Sequence, residues 1–330
     1  MLYVVLKILA ISIAIPAAIA LGLILSERPK PVVGANGGLD FDRQLQGAQP
    51  RDARIKLAMR DGQNLEVAHY PGPGGDAPLL ILLHGSAWHG MQFDHLAAEM
   101  AKQAEVVVPD LRGHGFSPAR RGDIDHIGQL EEDTADLIAL YRKSGQKVVL
   151  GGHSSGGGLV VRFAGGDYGD LIDGAILLAP FLKYNAPTTR QNSGGWAQPL
   201  TRRIIGLSML NMLGITALNG LTVIQFKMPD AVLNGPLGAS VTDRYSYRLN
   251  TAFAPRRDYL ADLRRLPGFL LVVGSADEAF RAEEYQPLIA PVNDNGRYVL
   301  LKGVRHLDVV DAPETAAAMG QFLTRIKDSK

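Results

Sequence analysis

Continuous apolar runs alternate with amphipathic stretches along most of the chain. Leu79–Leu83 (LLILL) has no polar position, which predicts a strand buried on both faces. Similar runs recur at Val106–Val108, Val148–Leu150, Ala175–Leu178, Phe269–Val273 and Tyr298–Leu301. Between them, Phe93–Lys102, Ile127–Lys143, Ser155–Ala164 and Pro313–Ile326 read as helices. Buried strands alternating with helices predict a mostly parallel sheet covered on both faces, an α/β fold. Ahead of it, Arg54–Ala58 and Leu65–Tyr70 are strand-like runs separated by Asp61-Gly62, a hairpin signal. In such sheets function collects at the carboxyl ends of the strands.

Two regions depart from the alternation. Residues 181–255 are too long for a crossover and too organised for a loop, so they predict an inserted helical cap. Within them Ile204–Phe226 carries no charge. A second membrane span is the sharper reading, but Asn211, Asn219, Gln225 and three glycines favour apolar cap helices over a pocket. The other region is N-terminal. Ile8–Leu25 is free of charge and as a helix would span roughly 27 Å, close to the hydrocarbon thickness of a bilayer. Residues 1–26 read as a transmembrane anchor, with Pro16 a tolerated kink. A cleaved signal peptide is the rival, since Ala18-Ile19-Ala20 has the small-x-small form, but the LGLIL that follows would leave a greasy new terminus. Residues 27–50, rich in Gly, Pro and Gln, read as a linker, and 51–330 as the folded domain with the cap inside it.

Charge supports this division. The chain of 330 residues has 34 Lys+Arg against 33 Asp+Glu, a net of +1. Lys7 is the only charged side chain before Glu27, so the rest of the chain is neutral overall. That balance gives no electrostatic footprint for nucleic acid. Lys7 faces Arg28 and Lys30 across the span, so loop charge leaves orientation open; an apolar N-terminal segment ahead of a globular domain most often exports it, which puts the domain outside the cytoplasm. With no cysteine there are no disulfides, thiolate nucleophiles or Cys-based metal sites. No His/Asp/Glu cluster has zinc or calcium spacing, and the glycines at 156–158 lack the lysine of a phosphate loop, so neither metal nor cofactor is expected.

The chemistry centres on Gly152-His153-Ser154-Ser155-Gly156, a G-x-S-x-G between the strand VVLG and a helix. A sharp strand-to-helix turn lifts one hydroxyl out of the sheet, and any Cβ at the flanking glycines would meet neighbouring backbone. Ser154 is therefore the expected nucleophile. Around it the chain resembles the α/β-hydrolase superfamily. Leu79–Gly85 looks like the family's third strand ending in His-Gly, and Asp110–Ser117 (DLRGHGFS) like the loop after the fourth. Gly274-Ser275-Ala276-Asp277 looks like the acid-bearing turn, and Val304-Arg305-His306 like the loop with the catalytic histidine. The resemblance covers about residues 53–328. It implies a Ser154–His306–Asp277 triad, in the chain order of this fold. Glu278 and Asp308 compete with Asp277 for the acid. Of the other histidines, His84 and His114 match structural positions, His153 is the variable residue of the elbow, and His69, His89, His95 and His126 read as solvated or capping.

The oxyanion hole should take one N–H from Ser155 and another from Ser86, after His84-Gly85. Trp88 reads equally as an acyl-pocket wall or as packing. The combination of these motifs with an apolar cap looks like the lysophospholipase and monoacylglycerol-lipase branch, related to families labelled serine aminopeptidases. The resemblance implies a serine esterase acting on a small-molecule or lipid ester, anchored in the membrane. An aminopeptidase would need an acid or carbonyl cluster for the substrate ammonium; the cap offers Asp230 and Asp243, but no spacing marks either as a receptor. A catalytically silent fold used for binding is the third reading, and it would be marked by a missing triad member.

Overall fold

The computed structural model describes residues 1–30, 38–46 and 54–328. Six strands come first: β1 (Ile55–Ala58), β2 (Asn64–Tyr70), β3 (Leu79–Leu83), β4 (Glu105–Pro109), β5 (Val148–His153) and β6 (Gly174–Leu178). Three short strands follow in the insertion, β7 (Ala197–Pro199), β8 (Thr222–Phe226) and β9 (Arg244–Ser246), then β10 (Phe269–Gly274) and β11 (Gly296–Leu301). The main sheet has the order β1-β2-β4-β3-β5-β6-β10-β11, parallel except for the antiparallel pairings of β1 with β2 and β2 with β4. Every residue of β3, β4, β5, β6 and β10 is buried, as their unbroken apolar runs require.

The longer helices are α1 (Leu2–Leu25), α2 (Asp94–Met100), α3 (Gln129–Tyr141), α4 (Ser155–Gly165), α5 (Thr201–Met212) and α6 (Pro313–Asp328). The chain leaves β3 for β4 on one side and places β5 on the other, so the sheet order reverses between β3 and β5. That switch point is where open α/β sheets form their crevice. The expected strands and helices are all present, and the α/β-hydrolase fold with its mostly parallel, helix-flanked sheet is the observed one.

The insertion is not the all-helical cap expected. It holds α5 and two shorter helices, together with an antiparallel sheet of order β7-β8-β9. The uncharged stretch 204–226 therefore divides into the end of a helix and a strand. Gly214, at φ +76°, ends α5: its N–H donates to Asn211 O and the Ile215 N–H to Leu210 O, the paired bonds of a Schellman motif. Beyond it, Thr222-Val223-Ile224-Gln225-Phe226 is β-branched and aromatic enough to pair as β8. A second span over 204–226 is excluded by this break.

α1 is long and apolar enough to cross a membrane, and Pro16 lies within it. Most of it is exposed, but Ala20 and Ile24 are buried against Leu207, Leu210, Val223 and Tyr247 of the cap. The backbones meet at Gly206, where a Cβ would come within 2.5 Å of Ala20 O. Just beyond α1, Glu27 accepts the Arg202 and Arg203 N–H groups at 2.7 and 3.3 Å, capping α5, and the Lys30 backbone pairs with the Gln225 amide.

The stretch expected to be a linker is thus docked wherever it is described. Phe41 is buried between Trp88 and Trp196, with centroids at 5.2 and 5.6 Å, and Asp40 pairs with Arg305. Leu39 and Leu45 on either side of Phe41 also pack against the core. The remainder of 27–50, and Arg51–Ala53, lie outside the described residues.

Candidate active site

The turn from β5 into α4 places Ser154 at φ 54°, ψ −119°, a conformation costly for any side chain. Surrounding bonds hold it there: its N–H donates to Leu178 O, and its carbonyl accepts from Gly158 and Phe181. The flanking glycines are there for space. A Cβ on Gly152 would lie 2.3 Å from Gly156 O, and one on Gly156 would lie 2.1 Å from Leu83 O. The elbow is therefore pressed against the end of β3, and a Cβ on Gly85 would stand 3.3 Å from Ser154 Cβ.

The ends of β10 and β11 bring the other two groups. His306 Nδ1 lies 2.8 Å from Asp277 Oδ2, and both side chains are buried. Asp277 Oδ1 accepts the Ala279 and Phe280 N–H groups at 2.8 and 2.7 Å. Oδ2 is thereby placed to accept from His306 Nδ1, an arrangement that would leave Nε2 facing away from the carboxylate. Glu278, the rival acid, bonds the backbone instead, accepting the His306 N–H at 2.8 Å. Asp308 lies against Arg305.

The histidine inside the elbow has a task that its variable position did not reveal. His153 Nε2 donates to His306 O at 3.1 Å, with ring centroids 4.7 Å apart. His306 is thus held at its ring by Asp277, at its N–H by Glu278 and at its carbonyl by His153. Arg190 of the cap donates to the Asp277 and Phe280 carbonyls, clamping the acid turn from above. Among the described residues Ser154 Oγ makes no hydrogen bond; nucleophile–base contacts are commonly long without substrate.

Ser86 and Ser155 come together as well. Their hydroxyls lie 2.5 Å apart, which brings the His-Gly loop onto the start of α4. Neither backbone N–H has an acceptor among the described residues. The Gly85 N–H is occupied by Gln92 Oε1 at 3.2 Å.

His84 is structural: Nδ1 donates to Gly85 O and Nε2 accepts from the Leu111 N–H. Burial pushes it down to about 3, so it stays neutral. His114 closes a similar bridge, with Nδ1 on Arg112 O and Nε2 on the Tyr245 hydroxyl. His89, read as solvated or capping, is not solvated: it is buried beneath Trp88 at 4.4 Å and stands before the short turn Gly90–Phe93 without a capping bond from its ring. Trp88 itself is a packing residue between Phe41 and His89. Among the described residues no group of His, Asp or Glu side chains could hold a metal.

A buried carboxylate paired with a buried imidazole thus follows β10 and β11, and a serine in a strained turn follows β5. Comparison with known proteins agrees with this architecture. A 32% identical segment of 91 residues matches a probable protein phosphatase methylesterase 1 of Caenorhabditis elegans, over 27% of this chain and 25% of that one. The chain spans less than a third of the length of the curated relatives it matches. Among solved structures, a soluble variant of monoglyceride lipase from Saccharomyces cerevisiae superposes with a TM-score of 0.61 at 16% identity, over 92% of this chain and 99% of that one. A bacterial membrane phospholipase A does so with a TM-score of 0.58 at 19% identity, over 99% of each. At these identities the structures show a shared fold. The family model described as "Serine aminopeptidase, S33" matches residues 76–311, from the strand before the His-Gly loop to just past His306, and the chain therefore belongs to that family of the α/β-hydrolase superfamily.

Proposed function

We propose that the chain is a membrane-anchored serine hydrolase that cleaves carboxylic esters of lysophospholipid or monoacylglycerol type. The observation that carries this reading is the Asp277–His306 pair at 2.8 Å, tied through the His153–His306 O bond to the turn that holds the strained Ser154. Ser154 Oγ attacks the ester carbonyl while His306 Nε2 takes its proton. The Ser86 and Ser155 N–H groups receive the oxyanion, and Asp277 stabilises the imidazolium. His306 then gives the proton to the leaving alcohol. Water, deprotonated by the same nitrogen, releases the acid from Ser154.

Lipid-like substrates are supported by the apolar cap, by α1 and by the likeness to a lipase and a membrane phospholipase. α1 supports an uncleaved anchor, because cleavage after Ala20 would cut the helix where it packs on Gly206. The anchor would hold the hydrolase domain on the extracytoplasmic side, which a reporter fused to the C-terminus tests.

The family's description favours a second reading, an aminopeptidase. Such an enzyme needs a free carboxylate for the substrate ammonium. Asp243 is taken by Arg244 at 3.0 Å and Asp230 is exposed, so the ester reading is preferred.

A fluorophosphonate probe should label the wild type and not Ser154→Ala; equal labelling of both removes Ser154 as nucleophile, and no labelling leaves a binding protein. Nitrophenyl esters of increasing chain length should then turn over faster than aminoacyl nitroanilides. Faster anilides would replace the lipase reading with the peptidase.

A further inference from the structure

One residue of the oxyanion loop has a conformation that its own side chain does not favour. Ala87 follows Ser86 directly, is fully buried and sits at φ +62°, in the left-handed region. Both of its backbone polar groups are taken by the cap. Its N–H donates to the Tyr245 hydroxyl at 2.6 Å, and its carbonyl accepts the Thr242 N–H at 3.1 Å. Tyr245 lies on β9, 158 residues further along the chain. Its hydroxyl is oriented in turn by His114, whose Nδ1 faces the Arg112 carbonyl and must donate, which leaves Nε2 as acceptor at 2.7 Å from the phenol. The phenol therefore donates to His114 and accepts from Ala87, with no freedom to reverse.

We propose that Tyr245 is a positioning residue for the oxyanion hole, holding Ala87 left-handed and so fixing the turn that presents the Ser86 N–H. The hole is then complete only with the cap strand β9 in place. The Ser86–Ser155 hydroxyl contact secures the other side of the same turn. This inference rests on the serine-hydrolase reading, since it concerns how that reaction's oxyanion is held.

A core tyrosine without this role would contribute through its ring, which packs on Phe226 at 4.8 Å and His114 at 5.2 Å. Tyr245→Phe keeps those contacts and removes the hydroxyl alone. Activity toward a short nitrophenyl ester is measured per serine titrated with a fluorophosphonate, so a partly unfolded preparation cannot mimic the effect. kcat should fall about tenfold, with KM within about twofold of wild type, because the lost interaction serves the oxyanion.

Adding Ala87→Gly to Tyr245→Phe supplies a residue that adopts positive φ freely, and should recover about fivefold of the loss. A kcat within about twofold of wild type for Tyr245→Phe overturns the proposal. So does a loss confined to KM, or a double variant no faster than Tyr245→Phe. A wild type that the fluorophosphonate does not label overturns the serine-hydrolase reading itself, and this inference with it.

Discussion

Replacing Asp277 by Asn tests the acid assignment through hydrogen-bond direction rather than through size. Asp277 Oδ1 faces two N–H donors, Ala279 and Phe280, and Oδ2 faces His306 Nδ1. An asparagine must turn its carbonyl oxygen toward the two backbone donors, since its NH2 group would oppose them. That choice leaves the NH2 against His306 Nδ1, which must then accept. The imidazole is forced into the other tautomer, with its proton on Nε2, and can no longer take one from Ser154. The expected loss in kcat is about 10⁴-fold, or about 5.5 kcal/mol of transition-state stabilisation.

Glu278→Gln makes the contrast. Glu278 accepts the His306 backbone N–H, and a glutamine oxygen can still do so, exchanging a charged acceptor for a neutral one. That costs about 1 kcal/mol, or less than about tenfold. The assay is kcat/KM on a short nitrophenyl ester, normalised to serines titrated by the fluorophosphonate. An Asp277→Asn enzyme within tenfold of wild type, or a larger loss in Glu278→Gln, would refute the tautomer argument.

Other consequences concern stability. Gly156→Ala places a methyl 2.1 Å from Leu83 O and 2.5 Å from His84 O, backbone atoms of a central strand that cannot step aside. It should cost about 3 kcal/mol or more, and a urea midpoint equal to wild type would show that the elbow is looser than it is drawn. Gly206→Leu should push α1 off the cap, because even its Cβ meets Ala20 O at 2.5 Å and Ile24 Cγ1 at 2.8 Å. In detergent it should melt at lower temperature and become cleavable by protease near residue 26, whereas unchanged proteolysis would mean that α1 does not dock there. His84, His89, His114 and His153 are all held below their ordinary value by burial, His84 at about 3. Below about pH 6.5 the unfolded chain binds protons that the folded one refuses, so the stability present above that pH is lost as pH falls. Each histidine contributes about 1.4 kcal/mol per pH unit within its window. The urea midpoint should therefore drop from pH 7.5 to 5.5, and equal midpoints would contradict the burial of these side chains.

The main sheet was legible because strands buried on both faces leave unbroken apolar runs, and Leu79–Leu83 or Phe269–Val273 admit little else. The strand-to-helix turn of the candidate site was legible for a related reason: Gly152, Gly156 and Ser154 answer steric demands that few other residues meet. The cap was misread because an uncharged stretch marks burial without marking period, and Gly214 alone divides Ile204–Phe226 into helix and strand. The docking of Phe41 in the linker and the capping of α5 by Glu27 were invisible, since their partners stand far away in sequence. His153 filled a variable position, and nothing local marks a ring that bonds a carbonyl 153 residues onward. Ala87 carries no signal either, because an alanine in a left-handed turn is dictated by its surroundings and not by its own preference.

These unannounced contacts share a direction. Ala20, Ile24 and Glu27 fasten α1 to α5, and the Lys30 backbone fastens the following chain to Gln225 on β8. β8 pairs with β9, where Tyr245 reaches Ala87 after the His-Gly loop, while Arg190 at the start of the insertion clamps the turn that carries Asp277. A cap that swung away as a rigid lid would have to break the Ala87 bonds on one side and the Arg190 bonds on the other. Each swing would leave buried polar groups of the site unpaired, at about 1–3 kcal/mol apiece. Any opening of the cap on the proposed reaction path would have to come from parts outside these contacts, such as the end of α5 and the turn after it, where Met212, Leu213 and Ile215 are exposed. The insertion thus joins α1 to the His-Gly loop and to the turn that carries Asp277, rather than only covering them.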